Sequence, residues 1–173
     1  MMTSATIASS ERRVIFGLGA TGQSVARWWR QQGVAFAAVD TRAELADNPA
    51  AVADIDVGSA VFGNVDAAFA DDCTEMIVSP GVALDHPLIE RARSQGCRVR
   101  GDIDLFMEAA KAPVVGITGS NGKSTVTSIL GAMIAACGVK AAVGGNLGRP
   151  ALDLLADEPE LYVLELSSFQ LER

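Results

Sequence analysis

Between residues 116 and 125 the chain reads Gly-Ile-Thr-Gly-Ser-Asn-Gly-Lys-Ser-Thr. The β-branched run Val114 to Thr118 leads into this motif and the long apolar segment Ser124 to Cys137 leads out of it, so it sits on the turn of a strand-turn-helix unit. No other feature restricts the fold as much. Its physical logic is that of a P-loop: backbone N–H groups and the positive helix end wrap phosphates, Lys123 offsets terminal phosphate charge, and the hydroxyl of Ser124 or Thr125 reaches Mg2+. The general pattern places four residues between its first glycine and Gly-Lys. Here five lie between Gly116 and Gly122, which makes this a variant loop. A Gly-rich turn with an exposed lysine is the competing reading, and the agreement of strand, loop and helix weighs against it.

A second unit of the same kind stands earlier. The strand candidate Val14 to Phe16 enters Gly17-Leu18-Gly19-Ala20-Thr21-Gly22, a helix candidate follows over Ser24 to Gln32, and Asp40 ends the next run, Val34 to Val39. Glycines there permit a tight turn and close backbone approach, and an acid about 20 residues on is where a dinucleotide-binding protein meets a ribose hydroxyl. Read alone, this half is a Rossmann fingerprint, with a structural turn that binds nothing as its rival.

Further strands are expected at Met76 to Val78, Ala141 to Val143 and Leu161 to Glu165, and further helices at Pro87 to Gln95, Asp102 to Lys111 and Ser124 to Cys137. Such alternation predicts parallel α/β architecture, and strands apolar on both faces predict helices on both sides of the sheet. Arg42 to Val65 gives no clear assignment. Two phosphate-type turns imply two nucleotide-type domains: a Rossmann-like parallel-sheet domain over 1–101 and a P-loop ATPase-type α/β domain over 102–173. A short, stiff hinge is expected near Arg100 to Lys111.

Composition narrows the partners. With 14 Lys and Arg against 21 Asp and Glu, the net charge of −7 leaves no basic surface for nucleic acid or an anionic membrane. Any bound phosphate must be gripped locally. Met1 to Arg12 lacks the apolar core of a secretory signal, and no run approaches the roughly 20 apolar residues of a spanning helix, so a soluble, cytoplasmic protein is expected. Cys73, Cys97 and Cys137 are odd in number and form no CxxC pair, which suggests neither a disulfide framework nor a zinc site. His86, the only histidine, precedes Pro87 and is expected on a surface loop; a Ser-His-Asp hydrolase or multi-His metal site is thereby disfavoured. Of Trp28 and Trp29, one is expected in the core and one partly exposed.

Three loops and strand ends complete the candidates. Leu161 to Leu164 runs into Glu165, and a carboxylate at the end of a strand beside a P-loop suits Mg2+. Ser79-Pro80-Gly81 can offer backbone N–H groups to an anion, and Asn146, within Gly144 to Gly148, can donate to a phosphate or hold a left-handed turn.

The P-loop, Gly116 to Thr125, resembles that of the Mur ligases of peptidoglycan synthesis. The resemblance extends in order along nearly the whole chain: Gly17 to Gly22, Asp40-Thr41-Arg42, Ser79 to Ala83, Gly101-Asp102, Gly144 to Gly148, and Leu164 to Gln170. Within the family it points to the members that add D-glutamate to UDP-N-acetylmuramoyl-L-alanine. It implies that the first domain binds a UDP-linked substrate rather than NAD, with Ala20, Thr21, Asp40, Thr41 and Arg42 around uracil and ribose. Ser79, Pro80, Gly81 and Asn146 would follow the diphosphate and muramoyl portion. Gly119, Ser120, Asn121, Gly122, Lys123, Ser124 and Thr125 would hold ATP, with Lys123 and Glu165 catalytic. Ser124 or Thr125, with Glu165, would ligate Mg2+, and Ser167 and Gln170 would line the reaction centre.

The reaction implied is ADP-forming amide synthesis: a substrate carboxylate attacks the γ-phosphorus of ATP, and an amine displaces phosphate from the acyl phosphate. A monomer is implied for the full-length protein. Family members continue beyond the Glu165 strand through the rest of a central domain and an amino-acid-binding third domain, so the chain is expected to be an inactive part of such a ligase with an exposed sheet edge. Rival readings are a folylpolyglutamate-type or other Mur-type ligase, an NAD-dependent oxidoreductase, which leaves the P-loop unexplained, and a non-catalytic nucleotide-sugar binding module.

Overall fold

A computed structural model describes residues 11–48, 52–55 and 60–172. The charge and apolarity reading of Met1 to Ser10 therefore lies outside the described residues. Five strands form the first sheet: β1 (Arg12–Phe16), β2 (Ala37–Asp40), β3 (Ala60–Phe62), β4 (Cys73–Val78) and β5 (Arg98–Arg100), in the spatial order β3-β2-β1-β4-β5 and parallel throughout. Strand order reverses between β1 and β4, and a crevice opens at the carboxyl ends of strands at such a switch point. Helices α1 (Ala20–Gln31), α2 (Pro87–Ser94) and α3 (Asp102–Ala109) accompany this sheet. The second sheet holds β6 (Val114–Ile117), β7 (Ala141–Gly145) and β8 (Leu161–Glu165) in the order β6-β8-β7, again parallel, with α4 (Lys123–Ala136) and the short α5 (Ser168–Leu171).

Val14, Ile15 and Phe16 have no exposed surface, because a parallel strand between two helix layers must be apolar on both faces. One apolar cluster holds Phe16, Val39, Met76 and Leu88. The other takes Ile15, Val25 and Trp29 from the first half and continues through Phe106 into Leu154, Tyr162 and Leu164 of the second. Phe106 meets Tyr162 edge to face at 5.0 Å, a geometry worth roughly 0.5 to 1.5 kcal/mol beyond burial. The 3-10 segment Ala151–Asp157 packs on both α1 and α3, and Arg27 of α1 reaches it, pairing with Asp153 through Nε at 3.1 Å and Nη2 at 2.6 Å and also with Asp54. The two sheets are thereby joined by oil and by charge.

The parallel α/β class expected from the sequence is the architecture observed. Details differ for identifiable reasons. Val34 to Phe36 is not strand, since the turn at Gly33 (φ +68°) delays pairing until Ala37. Ala60–Phe62 and Arg98–Arg100 are strands that the sequence did not announce, each only 3 residues long at a sheet edge. In Arg42 to Val65 the described elements are a 3-10 turn at Ala43–Asp47, a turn over 52–55 in which Ile55 N donates to Val52 O, and β3. Within Arg100 to Lys111, where a hinge was expected, Asp102–Ala109 is helix α3. His86 is not a plain surface loop residue: its Nδ1 accepts from Leu88 N at 3.2 Å as the cap of α2, and its ring edges onto Phe16 at 4.8 Å. Trp29 is 3% exposed and Trp28 half-buried, as expected. Helix cover is uneven: the outward face of α4 exposes Val126, Ile129 and Met133 by 53%, 55% and 60%. Among the described residues no helix is long and apolar enough to cross a membrane.

Candidate functional site

Every loop singled out by the sequence lies at the carboxyl end of a strand, where a parallel α/β sheet opens its crevice. A cavity of about 460 Å3 lies there, bordered by Gly17, Asp40, Arg42 and Ser79 from the first half and by Asn146 and Gln170 from the second. Ala20, Thr21, Thr41, Pro80 and Gly81 also line it.

The Gly17 turn is held by steric necessity. A Cβ on Gly22 would stand 1.9 Å from the Gly17 carbonyl oxygen, and one on Gly17 would stand 2.8 Å from both Ser79 Cβ and Val82 Cγ2. Ser79 Oγ donates to Gly17 O at 2.6 Å, tying the β1 and β4 turns together. By contrast nothing lies within 4 Å of a Cβ on Gly19, so backbone is open to the cavity there.

Asp40 is 3% exposed and accepts from Leu18 N (2.6 Å), Arg42 N (2.9 Å), Arg42 Nε (2.9 Å) and Arg42 Nη2 (2.7 Å). Burial pushes its carboxyl up, but the Arg42 side chain and the two N–H donors outweigh that and hold it below the usual carboxylate range. Four hydrogen bonds fill about the whole acceptor capacity of a carboxylate. Asp40 therefore acts on its surroundings by fixing the Gly17-Leu18 turn and aiming the Arg42 guanidinium along the cavity rim.

Gly119 (φ +143°) and Gly122 (φ +78°) shape the second turn, and Gly122 caps α4 from the left-handed region that a side chain disfavours. Lys123 folds back so that Nζ donates to Gly119 O at 2.8 Å. Ser124 Oγ donates to Glu165 Oε2 at 2.7 Å, while Asn146 Nδ2 donates to Oε1 at 2.7 Å and Asn146 N to the Glu165 carbonyl at 2.8 Å. Asn146 can approach because Gly144 and Gly145 carry no side chain: a Cβ on Gly145 would meet Glu165 O at 2.4 Å, and one on Gly144 would meet Arg149 O at 2.4 Å. Glu165 is 3% exposed. The hydrogen bonds from Asn146 and Ser124 lower its pKa against the opposing effect of burial, with help from the Lys123 charge, so it is ionised at neutral pH.

An ionised carboxylate beside a serine hydroxyl is a hard-oxygen pair of the kind that suits Mg2+. Of the two hydroxyls left open by the sequence, that of Ser124 donates to Glu165; Ser124, Thr125, Ser120 and Asn121 are all exposed residues. Ser167 and Gln170 close a capping box on α5, with Ser167 N donating to Gln170 Oε1 at 3.1 Å and Gln170 N to Ser167 Oγ at 3.2 Å. Gln170 Nε2 donates to Asp102 Oδ2 of α3 at 3.4 Å, so an acid at the start of that helix orients a residue of the cavity wall. Sequence reading noted Asp102 without giving it a role, since 68 residues separate the partners. Phe169, 60% exposed, lines a neighbouring cleft of about 570 Å3 with Leu84 and Ser167; an aromatic in a helix-capping segment gave no signal of it.

Residues 11–101 match the family described as Mur ligase MurD-like, N-terminal domain. The chain is 52% identical over 169 residues to the UDP-N-acetylmuramoylalanine–D-glutamate ligase of Pseudomonas aeruginosa, and 46% identical over 172 residues to that of Hahella chejuensis. Each alignment covers 96% of this chain and 37% of the relative. The chain thus spans under two fifths of the length of these relatives. Among solved structures, the UDP-N-acetylmuramate:L-alanyl-gamma-D-glutamyl-meso-diaminopimelate ligase of Neisseria meningitides aligns with 90% of this chain and 52% of its own, at a TM-score of 0.53 and 17% identity. A murein peptide ligase of Psychrobacter arcticus aligns with 92% of this chain and 39% of its own at the same TM-score and identity. These two support the fold alone.

Proposed function

This chain belongs to the Mur ligase MurD-like family, and from that premise we propose that it carries the UDP-substrate pocket and the nucleotide cradle of a cytoplasmic, ATP-dependent ligase that adds D-glutamate to UDP-N-acetylmuramoyl-L-alanine. Residues 1–101 form the substrate-binding domain and 102–173 the first part of the ATP-binding domain. The observation that carries this reading is Glu165. It receives Ser124 from the phosphate-type turn and Asn146 from the cavity wall, so the two sites share one buried carboxylate.

The reading assigns roles as follows. The nucleoside end lies against Ala20, Thr21, Thr41 and Arg42, with Asp40 holding Arg42, and the diphosphate follows Ser79 to Gly81 and Asn146. ATP phosphates rest on the backbone of Gly119 to Thr125, and Lys123, released from Gly119 O, turns to the terminal phosphates. Glu165 and Ser124 would hold Mg2+, which supplies offset of phosphate charge and polarisation of the γ-phosphoryl group. The muramoyl-L-alanine carboxylate attacks the γ-phosphorus with ADP leaving, and the D-glutamate amine then displaces phosphate from the acyl phosphate. What these residues contribute is placement: two anions that repel each other are brought together, and Lys123 offsets their repulsion.

Calorimetric titration with UDP, NAD and Mg·ATP in turn tests the reading. Binding of both UDP and Mg·ATP, each without displacing the other, is expected. Tight binding of NAD with no response to UDP overturns it.

A further inference from the structure

Cys73 opens β4, and Cys97 stands one residue before β5, the neighbouring strand. They are 24 residues apart in sequence, yet parallel pairing of these strands brings their sulfurs to 2.8 Å. Both are free thiols, 5% and 6% exposed. The sequence suggested no such pairing, because the contact is made by strand order rather than by spacing. Nothing in the ligase chemistry uses them: they lie at the amino ends of their strands, opposite the Gly17, Asp40 and Ser79 turns.

We propose that Cys73 and Cys97 form a reversible intramolecular disulfide in the folded protein, a covalent staple between β4 and β5 made by exchange with a low-molecular-weight disulfide. The 2.8 Å approach leaves under about 1 Å to the bonding distance of roughly 2.05 Å. The order of steps follows from the hydrogen bond that the Cys97 thiol donates to the Cys73 sulfur. That bond outweighs the burial that would raise the Cys73 thiol and holds it below its usual value, and the same bond, with burial, pushes Cys97 up.

Cys73 thiolate attacks one sulfur of the external disulfide, breaking its S–S bond and releasing one thiolate, and a mixed disulfide remains on Cys73. Cys97 then gives up its proton, attacks the Cys73 sulfur and expels the second thiolate. The two protons end on the two released thiols. The protein has lost two electrons and the external disulfide has gained them.

The closed loop encloses the Ser79 to Gly81 turn and α2, so the staple fastens one wall of the cavity from its far end. Cys137 is exposed beyond α4 and serves as an internal reference.

The test treats the native chain with cystamine, quenches it in acid, and reads peptide maps and the melting midpoint. Expected are a Cys73 to Cys97 cross-linked peptide, a cysteamine adduct confined to Cys137, and a midpoint raised by about 5 °C or more, all reversed by reductant. Cys97→Ser should show neither cross-link nor rise. The proposal is overturned if Cys137 is derivatised while Cys73 and Cys97 stay as thiols, or if each takes its own adduct. It is equally overturned if cross-links join only Cys137 of two chains. Should Cys97→Ser fail to fold, the parent's peptide map decides alone.

Discussion

The two glycine-rich turns look alike in sequence and are built on opposite principles. At Gly17 and Gly22 the space a methyl group would need is already filled, by the Gly17 carbonyl, Ser79 and Val82. At Gly119 and Gly122 nothing lies within 4 Å of an added Cβ, and only the backbone angles, φ +143° and +78°, call for glycine. The first turn is a packed joint that sets the crevice walls. The second is an open turn with room around both glycines, which is what a loop must have if phosphate is to rest on its backbone. A glycine pattern alone does not say which of these it encodes.

Substitution should break that contrast in a definite order. Gly22→Ala places a methyl group against backbone that cannot yield, and a cost of about 3 kcal/mol should lower the melting midpoint by about 10 °C. An unchanged midpoint would mean the joint is looser than described. Lys123→Ala should leave the midpoint alone and weaken Mg·ATP about a hundredfold in calorimetry, with UDP affinity unaltered; a fall in UDP affinity would show the two sites to be one.

Asp40→Ala loses the charge-assisted bonds that aim Arg42, worth about 1.5 to 3 kcal/mol, and UDP affinity should drop about ten- to a hundredfold. Gly122→Ala meets no clash and costs only the left-handed conformation, about 1 to 2 kcal/mol, so its midpoint should fall by about a third to two thirds as much as that of Gly22→Ala. An equal fall would erase the distinction between packed joint and open turn.

The smallest effect is that of acid. Asp40 and Glu165 both have pKa values below their ordinary 3.8 and 4.5, so they bind protons more readily unfolded than folded. Their stabilisation is present above the unfolded values and is lost as pH falls through the lower, folded ones. Midpoints should decline progressively below about pH 5, and Asp40→Asn should flatten that decline; a parent midpoint that is flat down to pH 3 would remove the argument.

Local pattern made most of the fold legible. Strands such as Leu161–Glu165 and both turns could be read because β-branched runs, glycines and helix starts are neighbours in the chain. Arg98–Arg100 escaped because its flanking arginines read as surface; they are accommodated at an edge, where Arg98 and Arg100 pair with Glu75 at 3.0 and 3.1 Å. The site was legible as a set of residues but not as an arrangement. Asn146 and Glu165 were each singled out, yet their hydrogen bond depends on two bare glycines and on the β7 to β8 pairing. Asp40 reads as a ligand group in sequence and as a bracket for Arg42 in space. Contacts across many residues, such as Gln170 with Asp102, leave no periodic trace.

One apolar cluster runs unbroken from Ile15 and Trp29 through Phe106 to Tyr162 and Leu164, and Arg27 grips Asp153 across the same boundary. By motif the chain divides into two interchangeable parts; by packing it does not. A graft that replaced either half with that of a distant relative would have to match the partner's side of this cluster, or break it between Trp29 and Phe106 and leave Arg27 without Asp153. Recombination within such a lineage should therefore favour exchange of both halves together, and pairs of substitutions across α1, α3 and the Ala151–Asp157 segment should compensate one another where single ones fail.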